Sequence, residues 1–248
     1  MKKVLAACVA VMFLVVSPVC ADETLSVLTE EWPPYNYTEN GKLTGISTDL
    51  VRQTLSRAGY KFKINIKPWK RAYNEALKVR NTLLYTTSRT EAREKLFKWV
   101  GPLYPRRIVL FRLKKNNTVI INDFEELRKY KIGVLRGGSV EEYLMSRGFK
   151  LNDNLDQAAD GKQNILKLFS NRIDLIPGSE MSMAHRLQQT PYEFSRLEVA
   201  YVLIDKGGYY IAINKDTPDE VVNKMQRAFD ELIEEGVRKR IVDSYLGR

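Results

Sequence analysis

Hydrophobic residues recur along this chain in two spacings, one typical of strands and one typical of helices. Phe62, Ile64 and Ile66 alternate with polar residues, which predicts a half-buried strand. Between Leu50 and Ala58 the apolar residues return every three or four positions, which predicts an amphipathic helix. Similar reasoning predicts further strands at 25–28, 83–86, 108–113, 132–135, 173–176, 199–204 and 209–213.

Helical spacing separates several of these strands. The longest apolar stripe follows Pro218, which can occupy the first turn of a helix. The other predicted helices cover residues 69–79, 123–129, 139–147, 162–169 and 180–188, with a last helix reaching residue 246. Strands and helices alternate in both halves of the chain, which predicts an α/β protein with doubly wound sheets.

Two polar segments interrupt this alternation and predict its division into lobes. The first is residues 114–117 (Lys-Lys-Asn-Asn), and the second is residues 205–208 (Asp-Lys-Gly-Gly). Exposed polar and glycine-rich stretches of this kind are typical of crossings between domains. We therefore predict two lobes joined by two crossings. Residues 22–112 and 206–248 form lobe 1 in this prediction, and residues 113–205 form lobe 2.

The N-terminus has the pattern of a secretory signal peptide. Two lysines precede an apolar run at residues 4–16, and small residues suited to cleavage follow ahead of Asp22. The run is shorter than the roughly 20 residues that a membrane-spanning helix needs. We predict a cleaved signal peptide at residues 1–21 and a periplasmic location. A lipoprotein signal ending at Cys8 is the alternative, but Cys8 has almost no apolar segment before it.

Composition excludes several other classes of function. Lys and Arg outnumber Asp and Glu by 40 to 30, yet these residues are scattered and mixed along the chain, so we expect no nucleic-acid partner. Both cysteines, Cys8 and Cys20, lie in the predicted signal peptide, and His185 is the single histidine. A transition-metal site needs more such ligands, so we expect no metal and no cofactor.

A few residues of the mature chain have chemistry suited to binding a small molecule. Ser139 follows two glycines ahead of a predicted helix, where backbone N–H groups can face an anion. A tight strand-to-helix turn uses the same residues. Trp32, Tyr35 and Trp69 could form an aromatic wall, although aromatic residues are also common in cores.

Several segments of the chain resemble the family 3 solute-binding proteins, the amino-acid-binding components of bacterial ABC importers. The resemblance extends over nearly the whole mature chain and rests on the order and spacing of the segments at residues 32–35, 40–46, 86–93, 101–104, 132–134, 138–139 and 171–174. It implies a type 2 periplasmic-binding-protein fold, in which two doubly wound lobes close about a hinge on a ligand. It also implies a monomer.

The resemblance implies roles for individual residues as well. The arginine matching Arg93 clamps the ligand's α-carboxylate, which suits a guanidinium that offers two parallel N–H groups. Thr86 and Ser88 match positions that hydrogen-bond the ligand, and Ser139 matches a hydroxyl contact from the second lobe. Trp32 and Trp69 match aromatic walls, and we add Tyr35 to the expected ligand-binding residues.

The chain departs from the family where amino-acid binders place an acid for the α-ammonium. Ser179 stands at that position and Glu180 is one residue beyond it, so both are candidate ligand contacts. We expect a small solute that bears a carboxylate, either an amino acid or a related organic acid, captured for an ABC permease in the inner membrane.

Two other functions remain open. One is an exported enzyme similar to cyclohexadienyl dehydratases, in which Glu180 or Glu142 would be the acid. The other is a free-standing ligand sensor.

Overall fold

The computed structural model describes residues 24–188 and 190–246 of the 248-residue chain. The predicted signal peptide, with both cysteines, lies outside the described residues. Within the described residues, every helix is too short or too polar to cross a membrane.

Strands and helices alternate through the described residues. The strands are β1 (Leu25–Thr29), β2 (Tyr37–Glu39), β3 (Lys42–Thr44), β4 (Phe62–Ile66), β5 (Thr82–Ser88), β6 (Phe97–Leu113), β7 (Ile132–Leu135), β8 (Leu155–Ala158), β9 (Ile176–Gly178) and β10 (Leu197–Asn214). The α-helices are α1 (Ile46–Arg57), α2 (Trp69–Lys78), α3 (Glu91–Glu94), α4 (Ser139–Ser146), α5 (Gly161–Phe169), α6 (Glu180–Leu187), α7 (Asp219–Glu234) and α8 (Val237–Leu246). Short 3-10 helices cover Glu125–Lys129 and Phe194–Arg196.

The main sheet has six strands in the order β4-β1-β5-β10-β6-β9. β4 and β5 run parallel to β1, whereas β10 runs antiparallel to β5 and β6. Successive residues of β5 point to opposite faces, so Leu83 and Tyr85 pack in one hydrophobic cluster and Leu84 packs in another. Helices cover both faces, which agrees with the predicted α/β class.

β6 and β10 pair with each other along almost their whole length, from Leu197 beside Leu113 to Asn214 beside Phe97. The prediction of two separate strands at 199–204 and 209–213 was therefore wrong. Residues 205–208 lie inside β10, because its pairing with β6 continues across them with only a shift of register. A glycine pair can interrupt a predicted strand in sequence while the backbone ladder continues through it.

Hydrophobic packing separates two bodies along these long strands. Val100, Leu103 and Tyr104 of β6 belong to a hydrophobic cluster with α1, α7 and α8. A second cluster contains α2, and we call these two clusters together the first lobe. Further along the same strand, Ile108 and Leu110 join a cluster with β7 and α4, and Val109, Phe111 and Leu113 join one with α5 and α6. These last two clusters form the second lobe.

The division of the chain into lobes stays a prediction. The packing of residues 108–113 with the second lobe favours a first boundary near Pro105, which pairs with Gly208 of β10. Residues 114–117, predicted as the first crossing, follow the end of β6 instead. The second crossing, predicted at 205–208, lies opposite Pro105 and Arg107 in the ladder.

The second lobe contains the largest differences from the predicted elements. β8 pairs in parallel with β7, although its sequence Leu-Asp-Gln-Ala gave no strand signal. The strand predicted at 173–176 begins only at Ile176 and pairs with residues 109–111 of β6. The segment predicted as a helix at 123–129 is mostly the 3-10 helix Glu125–Lys129.

Candidate functional site

A cavity of about 150 Å³ lies between the two lobes. Its walls include the ends of β1 and β5 from the first lobe and the starts of α4, α5 and α6 from the second lobe. The structure brings seven of the nine predicted ligand-binding residues to this cavity: Trp32, Trp69, Thr86, Ser88, Arg93, Ser139 and Ser179. Tyr35 and Glu180 do not line it.

Arg93 is buried, with only 1% of its surface exposed, and its partner is an acid of the second lobe. Nε and Nη2 of Arg93 donate to the two carboxylate oxygens of Glu142 on α4, at 3.0 and 2.9 Å. Nη2 also donates to the carbonyl oxygen of Gly137 at 3.2 Å. The guanidinium lies over the rings of Trp69 and Tyr73, at 5.1 and 4.9 Å from their centroids. Arg93 therefore already holds a carboxylate by two parallel hydrogen bonds.

Hydroxyl groups from both lobes meet next to this ion pair. Ser139, the first residue of α4, donates from Oγ to Oγ of Ser88 at the end of β5, at 3.2 Å. Arg106 donates from Nη2 to the same Ser139 oxygen at 2.9 Å. Arg106 is 7% exposed, and its Nε is buried without a hydrogen-bond partner. Burial lowers the pKa of Arg106, and the nearby Tyr209 opposes this effect.

Thr86 has the backbone geometry of a strained site residue. Its φ angle is 58°, a left-handed conformation that β-branched residues rarely adopt. Its Oγ1 atom is buried and has no hydrogen-bond partner among the described residues. Both features lie on a cavity wall, so Thr86 holds an unsatisfied hydroxyl where a ligand could contact it.

Two tryptophans connect the lobes through their indole nitrogens. Nε1 of Trp32 donates to Oγ of Ser182 on α6 at 2.8 Å, and Ser182 Oγ donates to the carbonyl oxygen of Pro33, also at 2.8 Å. Nε1 of Trp69 donates to the carbonyl oxygen of Gly137 at 2.7 Å. These contacts hold the cleft walls together on both sides of the cavity.

Tyr35 supports the aromatic wall from behind. Its ring packs against those of Trp32, Tyr104 and Tyr209, with centroids 5.0, 5.9 and 6.1 Å away. Tyr35 is 5% exposed and belongs to the hydrophobic core of the first lobe. Tyr35 does not line the cavity, and its contact with a ligand stays a prediction.

The start of α6 separates the roles of Ser179 and Glu180. Ser179 caps the helix by accepting a hydrogen bond from the backbone N–H of Ser182 at 3.2 Å, and it also faces the cavity. Glu180 points to the surface, where it pairs with Arg107 at 3.0 Å. Its side chain is 56% exposed and does not line the cavity, and the role of Glu180 as a ligand contact stays a prediction.

Three charged residues that line the cavity were missed by the sequence reasoning, namely Glu30, Glu141 and Arg186. Glu30 directly follows β1, and burial raises its pKa to about 7, while the charges of Arg186 and Arg93 oppose the increase. Arg186 on α6 donates from Nη2 to the carbonyl oxygen of Glu31 at 3.2 Å, and its Nε is buried without a partner. The signal in the sequence that could have indicated Glu30 was the Glu30-Glu31 pair directly after an apolar strand.

Glu30 and Arg186 also line a second cavity of about 480 Å³. Trp69, Gly161 and Ile165 line both cavities as well. Together with Glu30 and Arg186, they separate the two spaces. Gly161 begins α5, and a Cβ atom at that position would overlap with Nη1 of Arg186. The guanidinium can lie there only because residue 161 has no side chain.

In the part of the chain that the structure describes, no group of three or more His, Cys, Asp or Glu side chains is placed to hold a metal ion. The polar groups of the cleft are instead arginine, carboxylate and hydroxyl groups from opposite walls. Such a set can hydrogen-bond a small charged solute and leaves its apolar part against Trp32 and Trp69.

Comparison with known proteins gives one family and a consistent fold. The sequence pattern described as "Bacterial extracellular solute-binding proteins, family 3" matches residues 25–248. A protein of Campylobacter jejuni subsp. jejuni serotype O:2, described as a probable histidine-binding protein, is 24% identical over 226 residues, which cover 90% of this chain and 84% of that protein.

Solved structures that are similar over most of this chain include the following two. A histidine kinase sensor domain with similarity to periplasmic binding proteins has a TM-score of 0.80 at 20% identity, covering 90% of this chain and 96% of its own. An ancestral arginine-binding protein bound to arginine has a TM-score of 0.75 at 22% identity, covering 89% and 97% of the two chains. At these identities the likeness establishes a common fold.

Proposed function

Because the chain belongs to the bacterial extracellular solute-binding proteins, family 3, we propose that it captures an amino acid in the cleft between its lobes and delivers it to an ABC permease. The predicted type 2 periplasmic-binding-protein fold is confirmed. The observation that carries the proposal is the cavity between the lobes, which has a buried arginine, unsatisfied polar groups and aromatic walls.

Arg93 is the proposed partner of the ligand's carboxylate. Its guanidinium is buried, two rings stack on it, and its Nε and Nη2 atoms face a carboxylate of the chain itself, that of Glu142. A ligand carboxylate in the same position would accept the same two N–H groups. Oγ of Ser88 and of Ser139, together with the unpartnered Oγ1 of Thr86, lie on the walls of the same cavity and supply further hydrogen bonds.

Closure of the cleft makes these contacts stronger. Trp32, Trp69 and Ser139 already form hydrogen bonds that cross between the lobes. An ion pair in such a place is screened less than one at the surface. The closed arrangement also differs in shape from an open one, and this difference is what a membrane permease would recognise.

Isothermal titration calorimetry of the mature protein against amino acids and organic acids tests the proposal. The first probes are L-histidine and L-arginine, which are named for the relatives, and we expect saturable binding of at least one amino acid. Native mass spectrometry of freshly purified protein adds any solute that remains bound from the cells. Absence of binding throughout the panel, together with consumption of prephenate or arogenate, would replace this proposal with the enzyme alternative.

A reconstituted permease tests the delivery step separately. Addition of the loaded binding protein to proteoliposomes that contain an ABC permease for the same solute should stimulate ATP hydrolysis. Solute binding without such stimulation would favour a sensor over an importer.

A further inference from the structure

The proposed binding of an amino acid leaves the partner of its ammonium group unassigned. Ser179 occupies the position where an acid was expected, and its hydroxyl caps α6. Two acids do line the cavity. Glu141 accepts hydrogen bonds from the Gly137 N–H and the Gln157 amide, so its carboxylate is already used within the second lobe. Glu30 lines both cavities from the first lobe.

The acid closest to the proposed carboxylate clamp is Glu142. Both of its carboxylate oxygens lie within 3.0 Å of Arg93 nitrogens, whereas Glu30 interacts with Arg93 through its charge. Glu142 is in the first half of α4, three residues after Ser139, and its carboxylate contacts Arg93, which lines the cavity. Its side chain is 36% exposed, which leaves room for its carboxylate to move while Arg93 stays fixed.

A ligand carboxylate can reach Nε and Nη2 of Arg93 only by displacing Glu142. Displacement by a plain carboxylate restores the pairing of the arginine but leaves Glu142 without its cation. A zwitterion restores both pairings, because its carboxylate replaces Glu142 on Arg93 and its ammonium replaces Arg93 on Glu142. In an α-amino acid these two groups are attached to the same carbon, so their partners must be neighbours, as Arg93 and Glu142 are.

On the basis of the proposed function, we infer that Glu142 is the ammonium partner and that the Arg93–Glu142 pair selects zwitterionic amino acids over organic acids. The ion pair is opened by the ligand, and each half then binds the complementary half of the ligand. The pair thereby sets the class of solute, while the rest of the cavity selects the side chain.

The size of the expected selectivity follows from the contact that is gained. A hydrogen bond to a charged group contributes about 1.5–3 kcal/mol, which corresponds to roughly 10–100-fold in affinity. We expect the wild-type protein to prefer an amino acid over its des-amino analogue by that ratio. Glu142→Gln should bring the ratio to within about threefold, chiefly by weakening binding of the amino acid.

The experiment measures this ratio by calorimetry for three variants and the wild type. The probes are L-arginine with guanidinovalerate, and L-histidine with imidazolepropionate, extended to the best amino acid of the panel and its des-amino analogue. Glu198→Gln is the matched control, because Glu198 is also an acid of the second lobe that pairs with an arginine, Arg112 at 2.5 Å, and its side chain is 37% exposed. Glu30→Gln tests the competing acid.

The outcomes separate this inference from the function on which it rests. A ratio that collapses in Glu142→Gln and persists in Glu198→Gln and Glu30→Gln supports the inference. A ratio that is unchanged in Glu142→Gln, or that collapses only in Glu30→Gln, overturns the inference but leaves amino-acid binding intact. If no amino acid of the panel binds to the wild-type protein, the proposed function and the inference both fall.

Discussion

The indole Nε1 of Trp32 in the first lobe donates a hydrogen bond to Oγ of Ser182 in the second lobe, at 2.8 Å. The same serine oxygen donates to the carbonyl oxygen of Pro33 at 2.8 Å. Ser182 is 3% exposed, so water cannot replace either partner without separation of the lobes. A single hydroxyl therefore fixes one side of the cleft in its closed arrangement.

Replacement of Ser182 by alanine should favour the open arrangement. The change leaves the Trp32 N–H and the Pro33 carbonyl without partners in the closed protein, which costs about 1–3 kcal/mol. We expect a larger radius of gyration in small-angle X-ray scattering and an affinity for the ligand that is roughly 5–100-fold lower.

Ser170→Ala is the control for that change, since the Ser170 hydroxyl bonds only to the Lys167 carbonyl of its own helix. It should behave as the wild type does. Equal scattering curves and affinities for Ser182→Ala and the wild type would remove Ser182 from any role in closure.

Glu30 should make stability depend on pH. Burial raises the pKa of Glu30 from its ordinary value of 4.5 to about 7, so the folded protein keeps a proton that the unfolded chain has released between these pH values. The free energy of unfolding should thus decrease as pH rises from about 4.5 to about 7. Glu30→Gln has no carboxyl group to titrate and should not show this decrease. The free energy of unfolding of the variant minus that of the wild type should therefore be larger at pH 8 than at pH 4, by up to about 3 kcal/mol.

Urea denaturation of both proteins across this pH range measures the difference. Glu30→Asp, which keeps a buried carboxyl group, should retain the decrease. Parallel stability curves for the wild type and Glu30→Gln would contradict the raised pKa.

Gly161 and Arg186 should be coupled in stability and in binding. A side chain at position 161 overlaps with the Arg186 guanidinium and should displace it from between the two cavities. In the wild-type background Gly161→Ala is expected to cost about 1–2 kcal/mol, whereas in an Arg186→Ala background it should cost less than about 0.5 kcal/mol.

A double-mutant cycle by thermal denaturation gives the coupling energy between positions 161 and 186. Equal costs of Gly161→Ala in both backgrounds would show that the glycine has another role.

Arg93→Lys should separate charge from geometry at the proposed clamp. Lysine keeps the positive charge but cannot present two parallel N–H groups to one carboxylate. We expect the affinity for the best ligand of the panel to fall by roughly 10–100-fold. Arg112→Lys is the control, since Arg112 pairs with Glu198 outside the cavity. Ligand binding by Arg93→Lys at the wild-type affinity would remove Arg93 from the clamp.

The sequence predicted the elements whose hydrophobic pattern is set locally. β4, α2 and α6 lie within one or two residues of their predicted bounds, because alternation and helical spacing are properties of neighbouring residues. β8 was missed because its pairing with β7 is made by tertiary contacts, not by the propensity of Leu-Asp-Gln-Ala. The continuity of β10 was missed for a related reason, since the glycines at 207 and 208 resemble a chain break.

The sequence predicted which single residues lie at the site, but it did not predict which of them pair with each other. Arg93 and Ser139 could be assigned to the cleft because the order and spacing of the segments around them resemble those of the family, and both residues line the cavity. The pairing of Arg93 with Glu142 depends on how α4 of one lobe faces β5 and α3 of the other, which no local spacing contains. The approach of Arg186 to Gly161 likewise joins residues of two different helices.

The two long strands restrict how the two lobes can move relative to each other. Because β6 and β10 remain hydrogen-bonded to each other through the region near Pro105 and Gly208, the connection is a two-stranded ribbon and not a pair of independent tethers. Such a ribbon bends and twists far more readily than it stretches or slides. We therefore expect opening to be a swing about a short axis near residues 105 and 208, after which both lobes return to the same alignment.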